Sequence, residues 1–164
     1  MSLWLKRSIL ATVAVLVLIQ IIGPPRTNPA IDPAREIHAN LTVDPAVMTV
    51  LTRSCNDCHS NRTIWPWYSH VAPASWLVAW DVNQGRKALN FSEWGTYAAA
   101  AQRDHLSEIC KQVTKGEMPE FQYVLMHRGT KLSPSDIAAV CHWTQSSTQR
   151  LSAAWGEMRT SPSE

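Results

Sequence analysis

Cys55, Asn56, Asp57, Cys58 and His59 place two thiols two residues apart, with an imidazole directly after the second. Three chemistries use paired thiols at this spacing: a dithiol redox couple, half of a zinc site, and covalent attachment of a c-type haem. In the last, both sulfurs add to the vinyl groups along one edge of the macrocycle. The histidine then lies beneath the iron as its proximal ligand. Context separates the three. Zinc wants a second Cys/His pair at finger-like spacing, and Cys110 and Cys141 stand apart. A thioredoxin-like pair follows a strand in an alternating β/α pattern, which this chain lacks. With four cysteines and six histidines in 164 residues, chance yields the full pattern roughly 0.004 times, so the motif is signal. It points to one covalently attached haem, with Cys55 and Cys58 as thioether sites and His59 on the iron.

The second axial position decides what such a haem can do. An open site binds small ligands and does gas or peroxide chemistry, whereas a closed site mainly exchanges electrons. Met118 is the first candidate to close it. It follows Gly116, a natural helix stop, precedes Pro119, and lies 59 residues after His59. A thioether is soft and favours ferrous iron, so His59/Met118 ligation raises the potential. The competing reading has Met118 filling a gap in the core. His127, beside Met126, is the rival ligand and would give a lower-potential bis-histidine iron. His70 reads as a hydrogen-bonding residue, His105 and His142 as helix-surface residues, and His38 as part of a linker.

The elements around these residues follow from pattern. Lys6 and Arg7 precede an apolar run from Ser8 to Ile22, broken only by Thr12 and Gln20 and ended by Gly23-Pro24-Pro25. This fits a signal sequence, and no good cleavage site follows it, which favours an uncleaved anchor over residues 1–23. Lys6 and Arg7 then stay in the cytoplasm, and the rest of the chain lies outside it. Four prolines between positions 24 and 43 suggest a stiff tether, with a loop wrapped on the domain surface as the alternative. Asp44-Pro45 reads as a helix start carrying Val47, Val50 and Leu51 on one face. Pro66 and Pro73 delay the next helix until about Ala74. A helix over 97–115 carries Leu106, Ile109, Cys110 and Val113, and another starts at Ser133-Pro134-Ser135-Asp136. Residues 152–164 read as a polar tail. No stretch alternates like a strand, so the domain over 44–151 is all-helical. Trp76 and Trp80, four apart, read as core or pocket packing. The eight tryptophans together suggest a large flat apolar object to pack against. A net charge of +2 with no basic run excludes nucleic acid as a partner. Cys110 and Cys141, each on an apolar helix face in an oxidising compartment, are either bridged or separately buried. A bridge closes a loop of about 31 residues and adds ~3–4 kcal/mol on the chain-entropy account.

Beyond the haem motif, the concatenation CHSN, WPWYS, APASW, Gly85-Arg86, LNFSEW and Gly116-Glu117-Met118-Pro119 resembles the bacterial haem-binding domain family of membrane-anchored, single-haem, cytochrome c-like proteins. The resemblance covers about residues 40–145. It implies a small helical haem domain behind an N-terminal anchor, held on the periplasmic side of the bacterial inner membrane. It also implies electron exchange with membrane redox partners or other cytochromes rather than catalysis, and Met118 as distal ligand. A haem sensor or peroxidase-like module with a labile distal site is the alternative. In cytochrome c-like folds a downstream proline carbonyl often accepts the second N–H of the proximal histidine. Pro73 is the first candidate here and Pro66 the second.

Overall fold

The computed structural model describes residues 2–160, with side chains described through Ala154. All regular elements among them are helical. The apolar N-terminal run forms α1 (Leu3–Ile21), capped by the Ser2 hydroxyl. α1 is the one helix among the described residues that is long and apolar enough to cross a membrane. None of its side chains is buried by the rest of the protein.

The proline-rich stretch after α1 is not a free tether. Asn28 donates to the Thr63 carbonyl, and Asn61 donates to that of Ala30. Glu36, only 5% exposed, takes both Nε and Nη2 of Arg62 in a forked pair. After a 3-10 turn at Pro33–Arg35, the short α2 (Ile37–Asn40) drives Ile37 into the core, followed by Leu41. Prolines prevent regular structure but not packing, and the chain wraps the domain from about Thr27 onward.

α3 (Pro45–Ser54) starts as its residues dictate, with the Asp44 carboxylate accepting from Ala46 N–H and Pro45 in the first turn. Val47, Val50 and Leu51 are buried on its inner face. One residue later α4 (Asn56–His59) supplies a single turn holding the haem motif. A 3-10 turn at Trp67–His70 leads to α5 (Ala74–Ala88), and another at Phe91–Thr96 leads to α6 (Ala99–Lys115). Gly116 ends α6 in the left-handed region at φ 71°, where its lack of Cβ removes the steric cost. α7 (Phe121–Met126), which periodicity did not reveal, separates α6 from α8 (Pro134–Thr160). α8 opens on a reciprocal cap: Ser133 N–H donates to Asp136 Oδ2, and Asp136 N–H donates to Ser133 Oγ. The helix runs on through Thr160, so the expected polar tail at 152 is helical up to that residue, and 161–164 lie outside the described residues.

α6 and α8 pack along each other, and a disulfide joins Cys110 to Cys141. The core gathers α3, α6 and α8 around Leu106, Val113, Val140 and Trp143, and closes over Phe91 and a fully buried Trp94. α5 instead packs against α4. Its contact point is Gly85, where an added Cβ would come 2.6 Å from the Cys58 carbonyl oxygen. Trp76 and Trp80 are not core residues, being 46% and 61% exposed.

Two outcomes follow from this packing. Gly85→Ala forces α5 off the haem-motif turn, because backbone cannot yield as a flexible side chain can. A loss of about 1–3 kcal/mol is expected, read as a lower denaturant midpoint together with less haem retained per chain. Cys110→Ala/Cys141→Ala opens the 31-residue loop and is expected to cost about 2–4 kcal/mol in the same assay, with haem content unchanged.

Candidate haem site

The site begins with the turn of α4. Cys55 ends α3 and His59 ends α4, so one tight backbone reversal presents two sulfurs and an imidazole together. All three line a single cavity of about 500 Å3 with mainly apolar walls from α5, α7 and the 118–120 segment. That volume lies within the usual cofactor range of roughly 300–1,000 Å3. Leu77, Val78, Trp80, Leu125 and Met126 supply much of the apolar wall.

Both thiols are free and half-buried. Burial pushes Cys55 up to about 12 and Cys58 likewise, with the Asp57, Asp81 and Glu120 carboxylates adding to the effect on Cys58. A redox dithiol needs the opposite, a thiol whose pKa is lowered so that it attacks as thiolate. Nor does any group of three or more His, Cys, Asp or Glu among the described residues form a metal cluster. Neither observation favours the two competing uses of paired thiols.

His59 is oriented by its second nitrogen. Nδ1 lies 3.1 Å from the carbonyl oxygen of Leu89, the residue that ends α5. A carbonyl can only accept, so Nδ1 carries the proton and Nε2 is left with its lone pair for a metal. Burial holds the imidazole pKa below its ordinary value, which favours this neutral form. The acceptor is thus Leu89 rather than Pro73 or Pro66. Pro73 instead caps the start of α5, and Pro66 accepts from Ser69. Any residue carries a carbonyl, so no side-chain signal pointed to Leu89.

A polar lattice fixes this arrangement. The Asn61 amide accepts from Asn90, and its backbone N–H donates to Ser92 Oγ. Asn90 in turn accepts from Ser92 N–H, while its own N–H donates to the Tyr97 hydroxyl. Arg86 bonds the carbonyls of Ser60 and Thr27, together with Asn28 Oδ1 and Thr63 Oγ1. These contacts tie the loop after His59 to the chain around Leu89, and they account for the CHSN, Gly85-Arg86 and LNFSEW stretches.

Met118 and His127 both belong to the cavity wall. They differ in availability. His127 Nδ1 donates to the Tyr123 carbonyl at 3.0 Å, and its Nε2 is 3.3 Å from the Tyr68 hydroxyl. Its ring also stacks on Tyr123 at 4.1 Å. Tyr123 donates to Asp57 Oδ2 at 2.8 Å, and burial with this carboxylate pushes the phenol pKa well up. The Asp57–Tyr123–His127–Tyr68 cluster, absent from the sequence reading, leaves His127 no free nitrogen. Asp81 also reaches the cavity, its pKa raised by burial and by Glu120 nearby.

The residues fit a haem: an apolar cleft of suitable size, two unpaired thiols on its wall, and an imidazole held with a lone pair available. Among the described residues, Trp80 is the one tryptophan that lines this cleft, fewer than the eight tryptophans of the chain suggested. Neither the curated proteins nor the solved structures include a match to this chain. A family model described as a haem-binding domain matches residues 14–146 and so covers most of the chain, including the whole cleft. The chain belongs to the haem-binding domain family.

Proposed function

We propose that this protein is a membrane-anchored electron carrier holding one haem c, with Cys55 and Cys58 as the thioether sites and His59 and Met118 as axial ligands. The observation that carries the ligand assignment is a contrast within the cavity lining: His127 has both ring nitrogens engaged, while Met118 lines the same cavity as His59. Bound there, the haem supplies one-electron exchange between ferric and ferrous iron. The protein's part is positional. Leu89 holds the His59 tautomer, Gly85 lets α5 approach the haem-motif turn, and the apolar wall keeps water from the iron. A closed coordination sphere suits transfer to membrane redox partners or other cytochromes. Lys6 and Arg7 in the first turns of α1, ahead of its apolar run, support an orientation with the domain on the periplasmic face of a bacterial inner membrane.

A second reading, a haem sensor or peroxidase-like module, draws on the polar groups of the same wall. Tyr68, Tyr123, His127, Asp81 and Glu120 would surround a small ligand if Met118 left the iron.

One set of spectra separates these. Wild-type protein is expected to be low-spin with the weak far-red methionine–iron band. Met118→Ala is expected to lose that band, turn high-spin, bind carbon monoxide rapidly when reduced, and show a lower reduction potential. His127→Phe should keep the band. A high-spin wild type that binds carbon monoxide at once would transfer support to the sensor or peroxidase reading. Covalent attachment is checked apart from ligation: Cys55→Ala/Cys58→Ala should release all haem on a denaturing gel, where wild type retains it.

A further inference from the structure

Several apolar side chains on the head stay exposed, and the haem cleft explains only some of them. Ile64, Leu77, Trp80, Leu125 and Met126 line the cavity, so a cofactor there would cover them. Trp67, Val71 and Trp76 do not line it, yet they are 76%, 47% and 46% exposed. They fall within ten residues of one another, across the 3-10 turn at Trp67–His70 and the first turn of α5.

This stretch is where α1 meets the head. Gln20, the polar residue near the end of the apolar run, uses both ends of its amide on one backbone segment. Its nitrogen donates to the His70 carbonyl at 2.7 Å, and its oxygen accepts from Ala72 N–H at 2.9 Å. The two backbone groups bracket Val71. Gln20 is the last residue but one of α1. A helix of 19 residues spans ~28 Å at 1.5 Å per residue, against a hydrocarbon core of ~30 Å. With Lys6 and Arg7 reaching back along their stems to the cytoplasmic headgroups, a spanning α1 brings Gln20 to the opposite hydrocarbon–headgroup boundary, and its clamp holds residues 70–72 at that depth. Tryptophan favours this boundary, with an apolar ring and an N–H that remains hydrated.

We infer that the 67–76 segment, with Trp67, Val71 and Trp76, docks into the headgroup region of the same bilayer that α1 spans, clamped there by Gln20. The proposal rests on the anchor reading of α1 and adds a fixed orientation to it. The head lies on the membrane instead of swinging above it. Because Tyr68 and Ala74 from this segment, and Pro66 just before it, also line the haem cleft, one rim of the cleft lies at the lipid surface.

The test uses the full chain in phosphatidylcholine nanodiscs, with a photo-crosslinking p-benzoylphenylalanine placed at one position at a time and lipid adducts read by mass spectrometry. Val13→p-benzoylphenylalanine, in the middle of the apolar run of α1, reports insertion. Trp67 and Trp76 replaced in the same way report docking, and Lys111, exposed on α6, serves as the control on the head. The proposal expects lipid adducts at 13, 67 and 76 and none at 111. Gln20→Leu should lower the yield at 67 and 76 and leave that at 13 unchanged. Adducts at 13 without adducts at 67 and 76 would overturn the docking while the anchor stands. Absence at 13 would overturn the anchor reading and the docking with it. Cross-links from 67 or 76 to protein in place of lipid would also overturn it.

Discussion

The hydrogen bond from His59 Nδ1 to the Leu89 carbonyl ties the haem motif to the rest of the domain. A cysteine pair and a histidine on one short turn can present their atoms, but the turn alone does not decide which imidazole nitrogen faces the cleft. Leu89 decides it, because a carbonyl accepts only from a protonated nitrogen. To deliver that carbonyl, α5 must pass close enough to α4 for its backbone to touch the Cys58 carbonyl, and only a residue without a side chain fits at 85. The approach of two helices and the tautomer of one ring are thus a single constraint.

The polar lattice then follows as support. Burying so many amide and hydroxyl groups next to a cofactor cleft is costly unless each is paired. The chain meets this by making Asn61, Asn90 and Ser92 bond to one another and by spending most of the Arg86 donors on carbonyls and an amide oxygen. The proline-rich segment takes part, since Thr27, Asn28 and Ala30 supply acceptors or donors to this lattice. The lattice stiffens one wall of the cleft. The hydrophobic core of α3, α6 and α8 with the Cys110–Cys141 bridge stiffens the scaffold behind it.

The wall formed by α7 and the 118–120 segment is of another kind. It carries Met118, and beside it an aromatic and acidic cluster in which Tyr123 stacks on His127 and bonds to Asp57. Asp57 lies inside the haem motif itself, so the two walls of the cleft are linked by the Tyr123–Asp57 bond. That link builds His127 into the wall of the cleft.

Local information sufficed where the chemistry is local. The thiols and imidazole of Cys55, Cys58 and His59 lie within five residues, and the Asp44-Pro45 and Ser133-Pro134 helix starts, the Gly116 stop and the apolar run of α1 each depend on near neighbours. The helical class followed from them. Contacts made between distant backbone atoms were decided only by tertiary structure. The acceptor for His59 is a carbonyl, which every residue possesses, so the choice of Leu89 over Pro73 carries no side-chain signature. The wrap of residues 27–41 depends on Glu36 finding Arg62 and on Ile37 finding the core, while prolines in the same stretch suggested a tether. α7 was hidden because six residues are too few to display a period. The engagement of both His127 nitrogens required Tyr68, 59 residues earlier in the chain, to reach Nε2 while the nearby Tyr123 carbonyl took Nδ1. Residue types announced the chemistry, and packing assigned each atom its partner.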